Sequence, residues 1–316
     1  MKRLKGKIWL LVFLAVLLIA LFLFSGLSGN ISYILPRRAM KIAAIILTGA
    51  AVAFSTVVFQ TITQNRILTP SIMGLDDLYM LLNTVIIFLF GSTRLTMMDR
   101  NIQFLLNAGI MILFSVLMYH FLFKKEQNIY FLLLIGFVVG TFFESFSSFM
   151  QVLIDPNEFQ IVQDRMFASF NNLNIDVLYL AFALFAAAAL FSVRDLKYLD
   201  VMALGRDHAI NLGVDFDAAA RRFMVIVAVL TSISTALAGP VTFLGLLVVN
   251  LSYEYLKTYR HRELILGAIL IGIIALVGGQ WIVERVFAFS TTLSVIINFI
   301  GGIYFIYLLL KENRSW

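Results

Sequence analysis

Hydrophobic residues in this chain come in long runs rather than in alternation. Stretches with few charges occupy residues 8–24, 39–62, 71–91, 102–123, 129–151, 174–193, 218–238, 241–256, 263–284 and 292–310, separated by short polar intervals. About 17 to 25 apolar residues in a helix suffice to cross a bilayer. Hydrocarbon offers no partner to a free backbone N–H or C=O, so each run is expected to be helical, and the strand-length alternation of a membrane barrel is absent from the sequence. The pattern predicts an all-α polytopic membrane protein with about ten transmembrane helices, a single transmembrane domain over residues 1–316. The run 241–256 is short and follows Gly239-Pro240, which marks it as tilted, broken or partly buried between neighbours.

The first run, Ile8 to Phe24, follows a basic leader of four Lys and Arg residues. It is long for a secretory signal, and Ser25-Gly-Leu-Ser-Gly-Asn30 lacks a clear A-x-A cleavage site, so a retained helix with its basic end in the cytosol is expected.

Composition agrees. The chain is 61% hydrophobic and 13% charged, against about 45–50% and about 25% in soluble domains. Thirty Phe and only 4 Pro exclude a disordered or collagen-like chain, and the lack of Cys excludes disulfides, thiolate metal sites and a cysteine nucleophile. The formal charge of +6 records orientation rather than nucleic-acid binding. With the amino terminus inside and ten crossings, Arg37, Arg38, Lys41, Arg94, Arg100, Arg165 and Arg285 lie outside, and the other 17 of the 24 Lys and Arg lie inside. That bias obeys the positive-inside rule and places both termini in the cytosol.

Two intervals are too rich for simple turns. The outer stretch 151–174 contains Asp155-Pro-Asn-Glu158 and is either a solvated loop or the seat of a short surface helix through Phe159 to Phe170. The cytosolic stretch Val193 to Arg222 carries a small apolar face of Ala203, Leu204, Ala209, Ile210 and Leu212, with glycines at 205 and 213. Glycine accepts positive φ and stops a helix cheaply, so this pair frames a short amphipathic helix that docks into a partner or into headgroups.

Here the sequence resembles a known family. Ala203-Leu-Gly-Arg-Asp-His-Ala-Ile-Asn-Leu-Gly-Val214 resembles the A-L-G-x-x-x-A-x-x-L-G-V segment of the iron-siderophore and vitamin B12 permeases of bacterial ABC importers, the FecCD family. Gly239-Pro-Val-Thr-Phe-Leu-Gly-Leu-Leu-Val248 is similar to its G-P-x-x-F-x-G-L segment. Upstream, Gly49-Ala-Ala-Val-Ala with Gln60, Asn65, Pro70 and Gly74 follows its G-A-x-L-A and Q-x-x-x-x-N-P-L-A-x-P-x-x-L-G patterns, and Gly301 to Lys311 resembles its last helix. The order and spacing hold from about residue 35 to 311. The departures cluster: Arg66 stands for a family Pro, Val249-Asn250 for Pro-His, Tyr253 for Arg, Thr292 for the Pro that enters the last helix, and Ile303 for the Pro within it.

The resemblance implies a multi-pass permease of the bacterial plasma membrane that translocates a ferric siderophore inward. The ferric-siderophore branch is the most similar, including carriers of catecholate-containing siderophores such as petrobactin; vitamin B12 and haem are the alternatives within the family. It implies a second permease (identical or related, with a related chain favoured), two ATPase subunits that carry ATP and Mg, and an extracytoplasmic siderophore-binding lipoprotein, with no cofactor in this chain. ATPase coupling falls to the 194–217 loop, through Ala203, Leu204, Gly205, Arg206, Asp207, Ala209, Leu212 and Gly213. Binding-protein docking falls to Arg38, Lys41 and Arg285, whose bland reading is snorkelling to headgroups. The path and gate candidates are Gln60, Asn65, Glu144 and Asn250.

Glu144 lies within an apolar run and faces either an aqueous cavity or the outer third of the membrane, with water or an Arg in reach. Glu254 and Glu284 are read as interfacial. His120, His208 and His261 have no metal-ligand spacing and are read as surface histidines. The sequence has no G-x-x-x-x-G-K-[ST] loop and no Ser-His-Asp constellation, so a non-enzymatic transport subunit is expected. An ion-coupled carrier is the competing class, with Glu144 its one tempting carboxylate.

Overall fold

The computed structural model describes residues 2–26, 30–122, 129–171 and 173–312. Lys124, Lys125 and Arg314, counted above among the cytosolic charges, lie outside the described residues, as does the side chain of His120. In chain order the helices are α1 (Lys2–Phe24), α2 (Ile31–Thr63), α3 (Leu75–Met97), α4 (Arg100–Leu122), α5 (Ile129–Leu153), α6 (Pro156–Arg165), α7 (Ile175–Val193), α8 (Leu196–Met202), α9 (Arg206–Asn211), α10 (Phe216–Ala238), α11 (Leu244–Leu256), α12 (His261–Arg285) and α13 (Leu293–Glu312), with a 3₁₀ turn at Pro70–Met73 before α3. Among the described residues nine helices are long and apolar enough to cross a membrane, and α11 is a tenth, shorter apolar helix. Each apolar run of the sequence became one of these ten.

The bundle is organised around α2. In its most apolar window 83% of residues are buried, against 17% in α1 and 22% in α7 and α13, which leave most of their surface to lipid. Helix α2 packs on α10 and α12. Small residues permit this: a Cβ added to Gly49 would sit 3.5 Å from the Gly272 carbonyl carbon, so the two backbones cross in contact and gain packing that bulkier residues would prevent. The central position also lets α2 bury Thr48, Ser55, Thr56, Gln60, Thr61 and Thr63. Thr61 and Thr63 donate to the carbonyls four residues back, at 2.8 Å each, which satisfies hydroxyls within the helix itself.

A second close approach fixes the start of α3. Gly74 has φ +75°, a conformation that suits glycine, and a Cβ there would lie 2.7 Å from Gly140 Cα. The Gly136/Gly140 pair of α5 thus forms the seat on which the 3₁₀ turn and α3 rest. Helix α3 is broken near its other end, where Gly91 adopts φ 76°, ψ 161° and Glu158 of α6 accepts hydrogen bonds from the Ser92 backbone at 3.0 Å and its hydroxyl at 3.2 Å.

The stretch 151–174 does hold a helix, displaced from the span 159–170. Asp155 caps the Asn157 N–H and Pro156 opens the first turn, so α6 begins three residues early and ends at Arg165. Ala168 and Phe170 then enter the bundle. The Ser169 N–H donates to the Ala238 carbonyl at 2.7 Å, the Ala168 N–H donates to Ser294 Oγ at 3.0 Å, and Phe170 is fully buried.

Candidate functional site

Two of the four path candidates meet at one carbonyl, and a third closes the same turn. Helix α2 ends at Gln64, which takes a left-handed conformation, and the chain turns so that the Arg66 carbonyl accepts from Gln60 Nε2 at 2.7 Å and from Asn250 Nδ2 at 2.9 Å. Asn65 closes the same turn by accepting the Ile67 N–H at 2.9 Å. Two residues 190 positions apart in sequence therefore clamp one loop between α2 and α11. Gln60 and Asn250 are buried, 2% and 5% exposed.

Glu144 stands apart from this knot. It lines a cavity of about 360 Å³ bounded by the 67–72 segment, α5, the α10–α11 link and Phe305 of α13. Asp76 and Asp77, in the first turn of α3, line the same cavity, so three carboxylates share one space. The two aspartates escaped the sequence reading, although the rule that singled out Glu144 applies equally to an Asp-Asp pair opening an apolar run.

The 194–217 segment holds two short helices. Gly205 (φ 98°) and Gly213 (φ 83°) frame α9 as their spacing predicts, and α8 precedes it. The apolar face is divided: Ala209 is fully buried against the bundle, whereas Leu204, Ile210 and Leu212 are 57%, 44% and 63% exposed, and Ala203, Arg206 and Asp207 are exposed with them. Arg206 bonds Asp217 through two nitrogens (2.8 and 3.2 Å), and Arg222 bonds Asp195 (2.7 Å), bracing the segment against α10. Its tie to the membrane helices runs through a histidine. His261 is buried, contrary to the surface position expected for it: its Nδ1 and backbone N–H meet Asp200 Oδ1 at 2.7 and 2.8 Å, and its Nε2 lies 2.9 Å from Thr61 Oγ1 of α2. The carboxylate of α8 and the hydroxyl of α2 pull the ring inward at the start of α12. Gln64 adds a second strut, donating to the Met202 carbonyl at 2.9 Å. His208 is exposed, as expected.

At the opposite end, the three docking candidates cluster, and all three also tie helix ends together. Arg38 donates to the carbonyls of Phe22, Leu23 and Ser25 at 3.2, 2.9 and 2.7 Å, placing a cation on the carbonyl end of α1. Lys41 pairs with Glu284 at 2.8 Å and donates to Asn171 at 2.9 Å. Arg285 is exposed and donates to the Ser25 carbonyl at 2.6 Å. Arg37, not among the candidates, is exposed beside them over the Tyr33 ring.

The FecCD transport family model matches residues 8–311. The chain belongs to that family. It is 63% identical over 98% of both chains to the petrobactin import system permease protein YclO of Bacillus subtilis, and 36% identical to FatC, a petrobactin permease of Bacillus anthracis, over 89% of this chain and 79% of that one. Each organism also contributes a second, more distant petrobactin permease, YclN and FatD. Among solved structures, a metal-chelate type ABC transporter in an inward-facing conformation superposes with a TM-score of 0.83 over 98% of this chain and 99% of that one at 22% identity, which shows a common fold.

Membership in the FecCD family makes this chain a multi-pass permease subunit, a transport component. Three of the positions at which it departs from the family pattern are neighbours in space: Arg66 stacks on Tyr253, and Asn250 holds the Arg66 carbonyl. The knot at the end of α2 is therefore where this FecCD chain differs as a group of residues, not one at a time.

Proposed function

We propose that this chain is one of two permease subunits of a binding-protein-dependent ABC importer for a ferric siderophore of the petrobactin class. The observation that carries the reading is 63% identity to YclO along 98% of both chains. The second subunit is a related permease: YclO is accompanied by YclN in one organism and FatC by FatD in the other. Two cytosolic ATPases bind ATP and Mg²⁺ and hydrolyse the ATP, and an extracytoplasmic lipoprotein delivers the chelate.

Both termini and the 194–217 segment face the cytosol. Leu204, Ile210 and Leu212 present the apolar surface that enters the ATPase, and closure of the ATPase pushes on α8 and α9. Rotation passes to α12 and α2 through Asp200, His261 and Thr61 and through Gln64. At the outer face Arg37, Arg38, Lys41 and Arg285 form a basic field for the lipoprotein, steering its approach. Gln60, Asn65 and Asn250 control the inner end of the path, and Glu144 lies along it.

The test is uptake of radiolabelled iron as ferric petrobactin in Bacillus subtilis lacking YclO and expressing this chain. Restored, ATPase-dependent uptake is expected. Uptake of haem or vitamin B12 in place of ferric petrobactin would reassign the cargo, and uptake that persists without any ATPase would make the chain an ion-coupled carrier.

A further inference from the structure

We propose that a hydroxyl-lined cavity between α2, α10 and the start of α3 binds an alkali cation of about sodium size, with Asp76 as its charged ligand. The inference does not depend on which cargo is carried. The cavity measures about 20 Å³ for the centre of a water-sized sphere, which admits one water or one small bare ion. Eight of its thirteen lining residues are Ser or Thr. They come from separate elements: Ser55 from α2, Ser71 from the 3₁₀ turn, Thr235 from the last turn of α10, and Thr242 from the link to α11.

Three observations favour a cation. Ser55 is 1% exposed, and among the described residues its Oγ has no hydrogen-bond partner, so a buried oxygen in the cavity wall lacks one. Asp76 Oδ1 accepts from Thr235 at 3.1 Å, while Oδ2 is buried without a hydrogen bond, although the Ser71 and Thr242 hydroxyls stand beside the carboxylate. All of these neighbours are neutral, so an ionised carboxylate here has no positive partner among them. Finally, the wall includes Ser234 and Thr235 at the carbonyl end of α10, where the helix dipole favours positive charge.

The ligand set also fixes the class. Hard alkali and alkaline-earth cations take oxygen ligands, and divalent ones are generally held by several carboxylates. Here one carboxylate stands among hydroxyls, and among the described residues no group of three or more His, Cys, Asp or Glu is placed to hold a metal. A monovalent ion balances that single charge. Thr69, Ser71, Asp76 and Thr242 line both this cavity and the 360 Å³ cavity. Asp77 and Glu144 in the larger space give a cation an acidic approach to the smaller one. A bound ion would join the 3₁₀ turn and α3 to α2 and α10, fastening the one wall that the two cavities share.

The experiment uses the purified, nucleotide-free transporter containing this chain, in detergent, with thermal unfolding followed as NaCl, KCl or choline chloride is varied at constant ionic strength. Saturable stabilisation by Na⁺ or K⁺ over choline is expected, together with stoichiometric binding of ²²Na⁺ that unlabelled Na⁺ displaces. Asp76→Asn should abolish both, Ser55→Ala should weaken the apparent affinity about tenfold, and Asp176→Asn, an exposed carboxylate at the start of α7, should change neither. Equal behaviour of the native protein in all three salts with no ²²Na⁺ binding would overturn the proposal and make the cavity a water pocket, whatever the variants do. Cation binding that survives in Asp76→Asn would overturn the assignment of the site.

Discussion

The guanidinium carbon of Arg66 lies 4.5 Å from the centre of the Tyr253 ring. In the family pattern a proline occupies the first position and an arginine the second, so both partners of this stack are substitutions. Such a stack contributes about 0.5–2 kcal/mol depending on desolvation.

That exchange yields the first prediction. Tyr253→Arg alone sets two guanidinium groups face to face and should lower both thermal stability and uptake, whereas Tyr253→Arg combined with Arg66→Pro should recover most of the loss. A double-mutant cycle on Arg66→Ala and Tyr253→Ala should return a coupling of about 0.5–2 kcal/mol in the midpoint of unfolding. Additive single effects would show that the ring and the cation are merely adjacent.

The lever from the cytosolic segment can be cut at two places with different outcomes. The Ala209 N–H donates to the Gly205 carbonyl at 3.0 Å inside α9, so Ala209→Pro removes that bond and should abolish co-purification of the ATPase while the chain still inserts. His261→Ala leaves α9 intact and removes the side-chain link from Asp200 of α8 to Thr61 of α2, while the backbone bond to Asp200 and the Gln64 strut remain. It should preserve ATPase binding, lower uptake at least about tenfold and leave ATP hydrolysis running without transport, a split that simultaneous assays of hydrolysis and uptake would read.

At the outer face, charge reversal separates docking from architecture. Lys41→Glu places a carboxylate against Glu284 in a half-buried pair and should destabilise the chain by about 3–5 kcal/mol, as expected when a buried charge loses its partner. Arg285→Glu, at an exposed site, should leave stability near native and weaken lipoprotein binding more strongly at low salt than at high salt. Binding measured in both salt regimes, beside the unfolding midpoint, distinguishes the two effects.

Orientation is open to direct labelling because the chain has no native cysteine. Single cysteines at Lys197 and Arg260 should be shielded from an impermeant thiol reagent in intact cells, and one at Arg100 should react. Labelling at position 197 from outside would invert the topology and remove the ATPase interface from α9.

Much of this arrangement was legible in the sequence because it is written locally. Ten apolar runs became ten helices, and Gly205 and Gly213 marked both ends of α9. The shift of α6 was legible too, since Asp155-Pro156 is a cap followed by a first-turn proline; what was not visible is that Phe170 belongs to the core. The polar pairings left no local trace. His261 looks like any histidine at a helix start until Asp200 and Thr61, the latter 200 residues away, close around it. Arg38 reads as an outward cation until the end of α1 folds back onto it. The Asp76-Asp77 pair was overlooked because it sits at the edge of a run, where a charge looks like a boundary rather than an interior group.

The central burial of α2 has a consequence for how the chain is made. This helix leaves the ribosome second, carrying a row of hydroxyls and amides suited to protein neighbours, yet α10 and α12, on which it packs, are synthesised much later. At ordinary synthesis rates roughly 8 to 30 s separate α2 from the arrival of α10. During that interval α2 needs shelter in the insertion machinery or beside α1, and nascent chains halted before α10 should be clients of membrane chaperones and proteases, whereas chains halted after α12 should escape them.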